Sequence, residues 1–387
     1  MPVINHIAES AEDLTTWRRH LHRHPELMYD LPRTVAFVEE RLREFGCDEV
    51  VSGIGRSGVV AVIRGREPGR TVGLRADMDA LPVTEITGAD YASETPGKMH
   101  ACGHDGHTTM LLGAARHLAE TRAFAGTAVM VFQPAEEGGA GGKAMVQDGL
   151  MERFGIEEIY GMHNLPGLPV GRFALRPGPI MASADYVEIV VDGRGAHAAK
   201  PNEGIDVVLT GSAIVMAVQQ IVARNLDPLS SGVVSITNFH AGEADNVLPP
   251  RAVLVGTMRS LGAGIRQKLR DRVTEVATTI GAAYGATVTV KIKEGYPTTI
   301  NHPAQTAFAH EVASEIVGEM HVDPNAPPLM AAEDFAYMLE ERPGAYVFIG
   351  NGDSAGLHHP GYDFADAALP FGASYWVRLV ERALPLP

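Results

Sequence analysis

Short apolar runs in this chain repeatedly end in an acid or an imidazole, and helical patterns lie between them. Residues 71–75 precede Asp77, 127–132 precede Glu136 and Glu137, 159–162 precede His163, and 345–349 precede the loop holding His358. A helical pattern covers 105–119, and another covers 10–22, where Ser10-x-x-Asp13, a capping-box variant, leads into Leu14, Trp17 and Leu21 at helical spacing. Alternation of strand and helix predicts an α/β unit with a mostly parallel sheet covered by helices. Ligands in such sheets bind beyond the carboxyl ends of the strands. The topology therefore supplies a reason for Asp77, Asp79, Glu136, Glu137, His163 and His358 to meet.

From about residue 183 to 294 the rhythm changes. Strand, helix, two strands, helix and strand follow at 186–191, 205–224, 233–239, 252–258, 265–283 and 287–292. This βαββαβ order is the ferredoxin-like split motif. Helical sequence resumes at 306–317, so the α+β unit reads as an insertion. The expected organisation is a first domain over 1–182, the insertion over 183–294, and the first domain continued over 295–387. A chain of 387 residues is long enough for two cores.

The net charge of -15 and the absence of Lys/Arg runs exclude non-specific nucleic-acid binding and point to small-molecule chemistry. The first residues lack a basic segment followed by an apolar stretch, and no apolar run approaches the roughly 20 residues of a membrane helix. A cytoplasmic protein without a membrane partner is expected. Cys47 and Cys102 are the only cysteines, which excludes a disulfide framework and leaves metal binding or catalysis for any special thiol.

The densest cluster of reactive side chains is His100-Ala-Cys102-Gly-His104-Asp105-Gly-His107, just before a helix. One flexible residue between Cys102 and His104 lets a loop aim both at one ion. Thiolate and imidazole suit zinc, and nearby carboxylates widen the choice to manganese, cobalt or nickel. The alternative is a capping loop with exposed histidines and a cysteine packed as a small hydrophobe; three histidines around one cysteine weigh against it. Glu136-Glu137, framed by Gln133-Pro134-Ala135 and Gly138-Gly139, is either a solvated loop or a pair that divides its work. In the second case one carboxylate ligates metal and its neighbour takes a proton from the attacking water.

Arg18-Arg-His-Leu-His-Arg-His-Pro-Glu-Leu27, Arg75-Ala-Asp-Met-Asp-Ala-Leu-Pro82, His100-Ala-Cys-Gly-His-Asp105, Phe132-Gln-Pro-Ala-Glu-Glu137, Gly161-Met-His-Asn164 and Leu357-His-His-Pro-Gly-Tyr-Asp-Phe364 together resemble the M20 peptidase family. The likeness is to its aminoacylase, hippurate hydrolase and auxin-conjugate hydrolase branch, over nearly the whole chain. It implies a zinc-peptidase-like catalytic domain with an inserted dimerisation domain, and hydrolysis of the amide bond of small N-acyl amino acids. The resemblance further implies two divalent ions per subunit, held by Cys102, His104, Glu137, His163 and His358, with Glu136 as base. His358 is preferred to His359 because it directly follows Leu357. Many relatives carry His-x-Asp where this chain has Asp77 and Asp79, so Asp77 is not the usual ligand and Asp79 is expected to support the ligands.

In the insertion, the family segment containing His197 approaches the active site, often that of a partner subunit, and would donate to the oxyanion. A homodimer, or a higher homo-oligomer, is expected. Asn246 and Arg259 are candidates for holding a substrate carboxylate or carbonyl, Arg having the forked donors a carboxylate accepts; each is otherwise a surface or fold-stabilising group. Ala331-Ala-Glu333-Asp334-Phe335 matches the family without an assigned role. Two readings stand against hydrolysis through metal: attack by Cys102 with His104 or His107 as base, and a non-enzymatic metal-dependent binding protein. The first leaves Glu136, Glu137, His163 and His358 unexplained. An intact Glu136 beside a full ligand set tells against the second.

Overall fold

The computed structural model describes residues 3–387. It divides into two compact units: the chain up to Ile180 with Ile300–Pro327 and Asp334–Pro387, and Met181–Thr299 with Pro328–Glu333. The first unit opens with β1 (Glu49–Ile54), β2 (Gly58–Arg64), β3 (Glu67–Asp77), β4 (Ala125–Gln133), β5 (Glu158–Leu165) and β6 (Phe173–Ala174). The second holds β7 (Ser183–Asp192), β8 (Ala196–His197), β9 (Gly232–Ala241), β10 (Val247–Leu248), β11 (Arg251–Ser260) and β12 (Thr287–Glu294). On return to the first come β13 (Val322–Asp323) and β14 (Gly344–Gly350).

In the first unit eight strands form one sheet in the order β1-β2-β4-β3-β5-β14-β6-β13. Its centre, β4-β3-β5-β14, is parallel; β1 and β2 join antiparallel at one side and β6 meets β14 antiparallel at the other. The central strands read as continuous apolar runs because both faces are covered: all of β14 and the last six residues of β4 are buried. Parallel pairing puts the carboxyl ends of β3, β4, β5 and β14 on one edge, so Asp77, the loop after Gln133, His163 and the loop after Gly350 are delivered side by side. The helix His104–Thr121 is buried along almost its whole length and starts at this same edge.

The second unit is a four-stranded antiparallel sheet, β9-β11-β7-β12, the strand order of a ferredoxin-like unit. Along β11, buried and half-buried residues alternate, so one face meets the core and the other does not. Val207–Gln220 and Ala263–Ala283 supply the helical side of that core, with Ile214, Val218, Leu269 and Val273 packed against Val187, Ile189 and Leu254.

Four sequence expectations need correction. Ser10 caps nothing: its hydroxyl donates to the His6 carbonyl at 2.7 Å, because a preceding helical turn, Asn5–Glu9, runs straight into Ala11–Arg23. The helix expected from 205 begins at Val207, where the Asp206 carboxylate accepts from the Val208 and Leu209 amides. The stretch Val207–Asn225 is long and apolar enough, by length and composition, to cross a membrane, contrary to the reading above. One stripe of it faces the sheet core, while Val208, Leu209 and Met216 are exposed. Pro328–Glu333 also packs with the second unit, although the sequence places it in the continued first domain.

A buried polar network ties the helix Ala11–Arg23 to the sheet edge. Arg18 donates to Asp105 Oδ2 at 2.9 Å and to Asp363 Oδ1 at 2.6 Å; His22 Nδ1 meets the same Asp105 oxygen at 2.8 Å and its Nε2 lies 3.4 Å from Glu85. Burial opposes protonation of His22, but hydrogen bonds to Asp105 and Glu85 outweigh it and push its pKa up to about 9. A folded pKa above the unfolded value means that the contribution is complete below about pH 6.5 and is lost as pH rises through about 9. Denaturant unfolding from pH 6 to 10 should show a loss of about 3 kcal/mol from this group. In His22→Gln that component of the slope should vanish; an unchanged slope would assign it to another group.

Candidate metal centre

Cys102, buried in the loop before the helix His104–Thr121, has its Sγ 3.4 Å from His163 Nε2. His163 Nδ1 donates to the Asn164 carbonyl at 2.6 Å, which leaves Nε2 as the lone-pair nitrogen, the form a metal takes. His104 Nδ1 lies 3.5 Å from Asp79, and its Nε2 lies 3.7 Å from Asp77 and 3.9 Å from Glu137. Neither nitrogen makes a hydrogen bond among the described residues, although the ring is fully buried. His358 Nε2 stands 3.2 Å from Glu137 Oε1, and its backbone N–H donates to Ala101 O at 2.7 Å, tying its loop to that of Cys102. His359 instead turns its Nδ1 back to accept from the Gly361 amide at 2.9 Å.

Potential ligand atoms of Cys102, His104 and His163 lie within 4.8 Å of one another, as do those of Cys102, Glu137 and His358, and those of His104, Glu136 and Glu137. Thiol, imidazole and carboxylate groups converge here, with neither His104 nitrogen hydrogen-bonded, so the donor set fits divalent cations. Burial first, then Glu137, Glu136 and Asp77, push the Cys102 thiol well up. Burial opposes charge on His104, but Asp77, Asp79 and Glu137 raise it to about 10. Burial and His107 hold His163 well below the usual imidazole range. Both shifts favour a neutral thiol and a neutral imidazole over an activated ion pair at this contact.

A further layer holds these groups. Asp79 accepts from the Glu136 amide at 2.9 Å and the Glu137 amide at 3.1 Å. Asp77 takes the Arg75 guanidinium on Oδ2 at 2.7 Å and His107 Nδ1 on Oδ1 at 2.6 Å. His107 Nε2 accepts from the Asn164 amide at 2.9 Å, so both its nitrogens are engaged within the protein, although its ligand atom lies within 4.8 Å of those of Asp77 and His104. Asn164 is the hub that sequence reading missed. Its Nδ2 donates to Cys102 O at 2.6 Å and its Oδ1 accepts from Tyr362 at 2.7 Å. Gly103, at φ +88°, passes so close that a Cβ there would lie 2.3 Å from Asn164 Nδ2. The only sequence hint was that Asn164 follows His163 in a quoted motif.

His197, Asn246 and Arg259 belong to the second unit. His197 sits on the β8–β10 ribbon opposite Val247, beside Asn246, whose carbonyl accepts from the Ala198 amide. His197 Nδ1 accepts from the Ala199 amide at 3.0 Å, so its Nε2 carries the proton. Arg259 lies on β11 between Val233 and Ala184, on the half-buried face.

Residues 73–382 match Peptidase family M20/M25/M40. The chain belongs to this family. It is 40% identical over 384 residues to the hippurate hydrolase of Campylobacter jejuni, covering 99% of this chain and 100% of that one. With the N-acetyl-L-cysteine deacetylase of Bacillus subtilis it shares 39% identity over 93% of this chain and 85% of that protein. Among solved structures it resembles Bacillus subtilis YXEP, described as a dinuclear metal-binding peptidase of the M20 family, with a TM-score of 0.86 and 34% identity over 97% of this chain and 99% of that one.

Because Asn164 fixes the carbonyl of Cys102 and the ring of His107, Asn164→Ala should weaken metal retention by roughly 10–100-fold, the usual cost of losing an outer-layer partner. Competition against a chelator measures this. Unchanged affinity would mean that the Cys102 loop is held by other contacts.

Proposed function

We infer that this M20 protein is a metal-dependent amidohydrolase that cleaves the amide bond of N-acyl amino acids. The observation that carries it is the convergence of Cys102, His104, Glu136, Glu137, His163 and His358 at one sheet edge, in a chain alike to a hippurate hydrolase over its full length. In the reading we favour, Cys102, His104, Glu137, His163 and His358 hold two divalent ions, of zinc, manganese, cobalt or nickel. Such ions, when bound, lower the pKa of water and polarise a carbonyl.

The protein's own groups then divide the remaining work. Glu136 takes the proton from the attacking water and hands it to the departing nitrogen. Asp79, by gripping the amides of Glu136 and Glu137 with its two oxygens, keeps the neighbouring carboxylates in separate roles. His197, protonated on Nε2, is the donor for the oxyanion. Asn246 and Arg259 are proposed to hold the substrate's carboxylate or carbonyl. The 3.4 Å Cys102–His163 contact is what favours a thiol nucleophile, but burial first, and then the surrounding carboxylates, disfavour a thiolate there without a cation. Turnover of hippurate, N-acetyl amino acids and longer acyl conjugates, with and without chelator, is the test. Full activity in metal-free protein, abolished by alkylating Cys102, would replace this reading with the thiol one.

The Glu136→Gln variant should keep its metals and lose roughly 10²–10⁴-fold in kcat, the usual worth of a positioned acid–base group. Metal analysis beside the kinetics separates the two glutamates; loss of the ions would reverse their roles.

We also propose a homodimer in which His197 of one subunit serves the metals of the other. Support comes from the exposed apolar side chains Leu209 and Met216 on Val207–Gln220 and from β9, whose outer edge is unpaired among the described residues. Exchanging subunits between inactive His197→Ala and Glu136→Gln variants should restore about a quarter of wild-type activity, since half the dimers are mixed and each holds one intact site. Verified mixed dimers without activity would confine His197 to its own subunit or to no role.

A further inference from the structure

The segment ending in Glu333-Asp334 has no assigned role, and Asp334 is fully buried. Its Oδ1 accepts from Gln133 Nε2 at 2.7 Å and from Arg75 Nη2 at 3.1 Å, and its Oδ2 accepts from the Gly142 amide at 2.7 Å. Gln133 is the last residue of β4, and Gly142 lies in the first turn of the helix Gly141–Gln147. Between them run residues 134–141, the loop that carries Glu136 and Glu137. One carboxylate thus grips both ends of that loop.

The loop requires such a grip. Ala135 and Ala140 are left-handed, at φ 53° and 56°, a conformation that side chains other than glycine adopt at a cost. The ends close tightly: the Gly141 amide donates to Ala135 O at 3.1 Å, and a Cβ on Gly141 would lie 1.6 Å from Pro134 O. A strained, closed loop persists only where its surroundings over-determine it. Asp79 holds the middle, through the amides of Glu136 and Glu137. The neck falls to Asp334, whose negative charge is balanced by Arg75, itself bonded to Gln133 Oε1 at 2.8 Å.

We propose that Asp334 is a positioning residue for amide hydrolysis: by holding Gln133 and the Gly142 amide on one carboxylate, it closes the neck of the 134–141 loop and sets where the Glu136 carboxylate stands. It touches no reacting atom. The consequence for turnover rests on the function inferred above; the closure of the neck does not.

Asp334→Asn turns an amide N–H₂ toward groups that are all donors, so at least one contact must break. The variant, studied as the purified metal-loaded protein, should show backbone hydrogen exchange at residues 138–142 accelerated by about tenfold or more, with the helix His104–Thr121 unchanged. Its kcat should fall roughly 10–100-fold with KM within about threefold of wild type. In a Glu136→Gln background the same change should cost less than about threefold, because the group it positions is already gone. Gln133→Met, which removes one donor and keeps the length of the side chain, should reproduce the pattern more mildly and serves if Asp334→Asn does not fold. Unaltered loop exchange, or losses that multiply fully with Glu136→Gln, would overturn the proposal. Should no N-acyl substrate be turned over at all, accelerated exchange would leave the neck clamp standing and place the failure with the inferred reaction.

Discussion

Buried negative charge is what the rest of this structure is arranged around. Asp77, Asp79, Glu136 and Asp334 are all buried, Glu137 nearly so, and all belong to the same unit as the carboxyl edge of the parallel sheet. A carboxylate out of water must be paired or bonded, or it takes up a proton. Asp77, Asp79 and Asp334 are each met by protein donors. Arg75 and His107 take the two oxygens of Asp77; backbone amides take those of Asp79; Arg75, Gln133 and Gly142 take those of Asp334. What remains without internal partners is informative. The His104 ring makes no hydrogen bond with either nitrogen and stands among Asp77, Asp79 and Glu137 at 3.5–3.9 Å, within the groups that could hold a metal ion.

The legible part of the fold was the part governed by periodicity and strand ends. Continuous apolar runs announced strands covered on both faces, and the rule that parallel strands present their carboxyl ends together gathered Glu136, Glu137, His163 and His358 without any contact being known. The ferredoxin-like order of the second unit was readable for the same reason: each strand and helix carries its own local period. Features that depend on a distant partner were not readable. Ser10 looks like a cap until the preceding turn takes its hydroxyl. His107 looks like a ligand until Asp77 and Asn164 occupy both nitrogens. Asp334 lies some two hundred positions from Gln133, and no local pattern ties a lone aspartate to a strand end so far away. Val207–Asn225 has the length and mean hydropathy of a membrane-crossing helix, but Thr210, Gly211 and Ser212 break it into shorter apolar runs.

Asp77 shows how one buried carboxylate can organise its neighbours. The residue stands where many relatives are expected to carry a histidine ligand, and its Oδ2 comes within 3.7 Å of His104 Nε2. Both of its oxygens are engaged by protein donors, and it lies within 4.8 Å of ligand atoms of His104 and His107. Arg75, two positions earlier on the same strand, projects to the same face, as alternation along a strand requires, and its guanidinium reaches Asp77 at 2.7 Å. An imidazole at position 77 would place a neutral or cationic ring against that guanidinium and leave His107 Nδ1 without its acceptor. The carboxylate instead joins two chains of contacts, one through Arg75 to Asp334 and one through His107 to Asn164 and the carbonyl of Cys102. Cys102 lies at the end of the second chain. The negative charge at 77 is thus linked, through His107 and Asn164, to the loop that carries the thiol at 102.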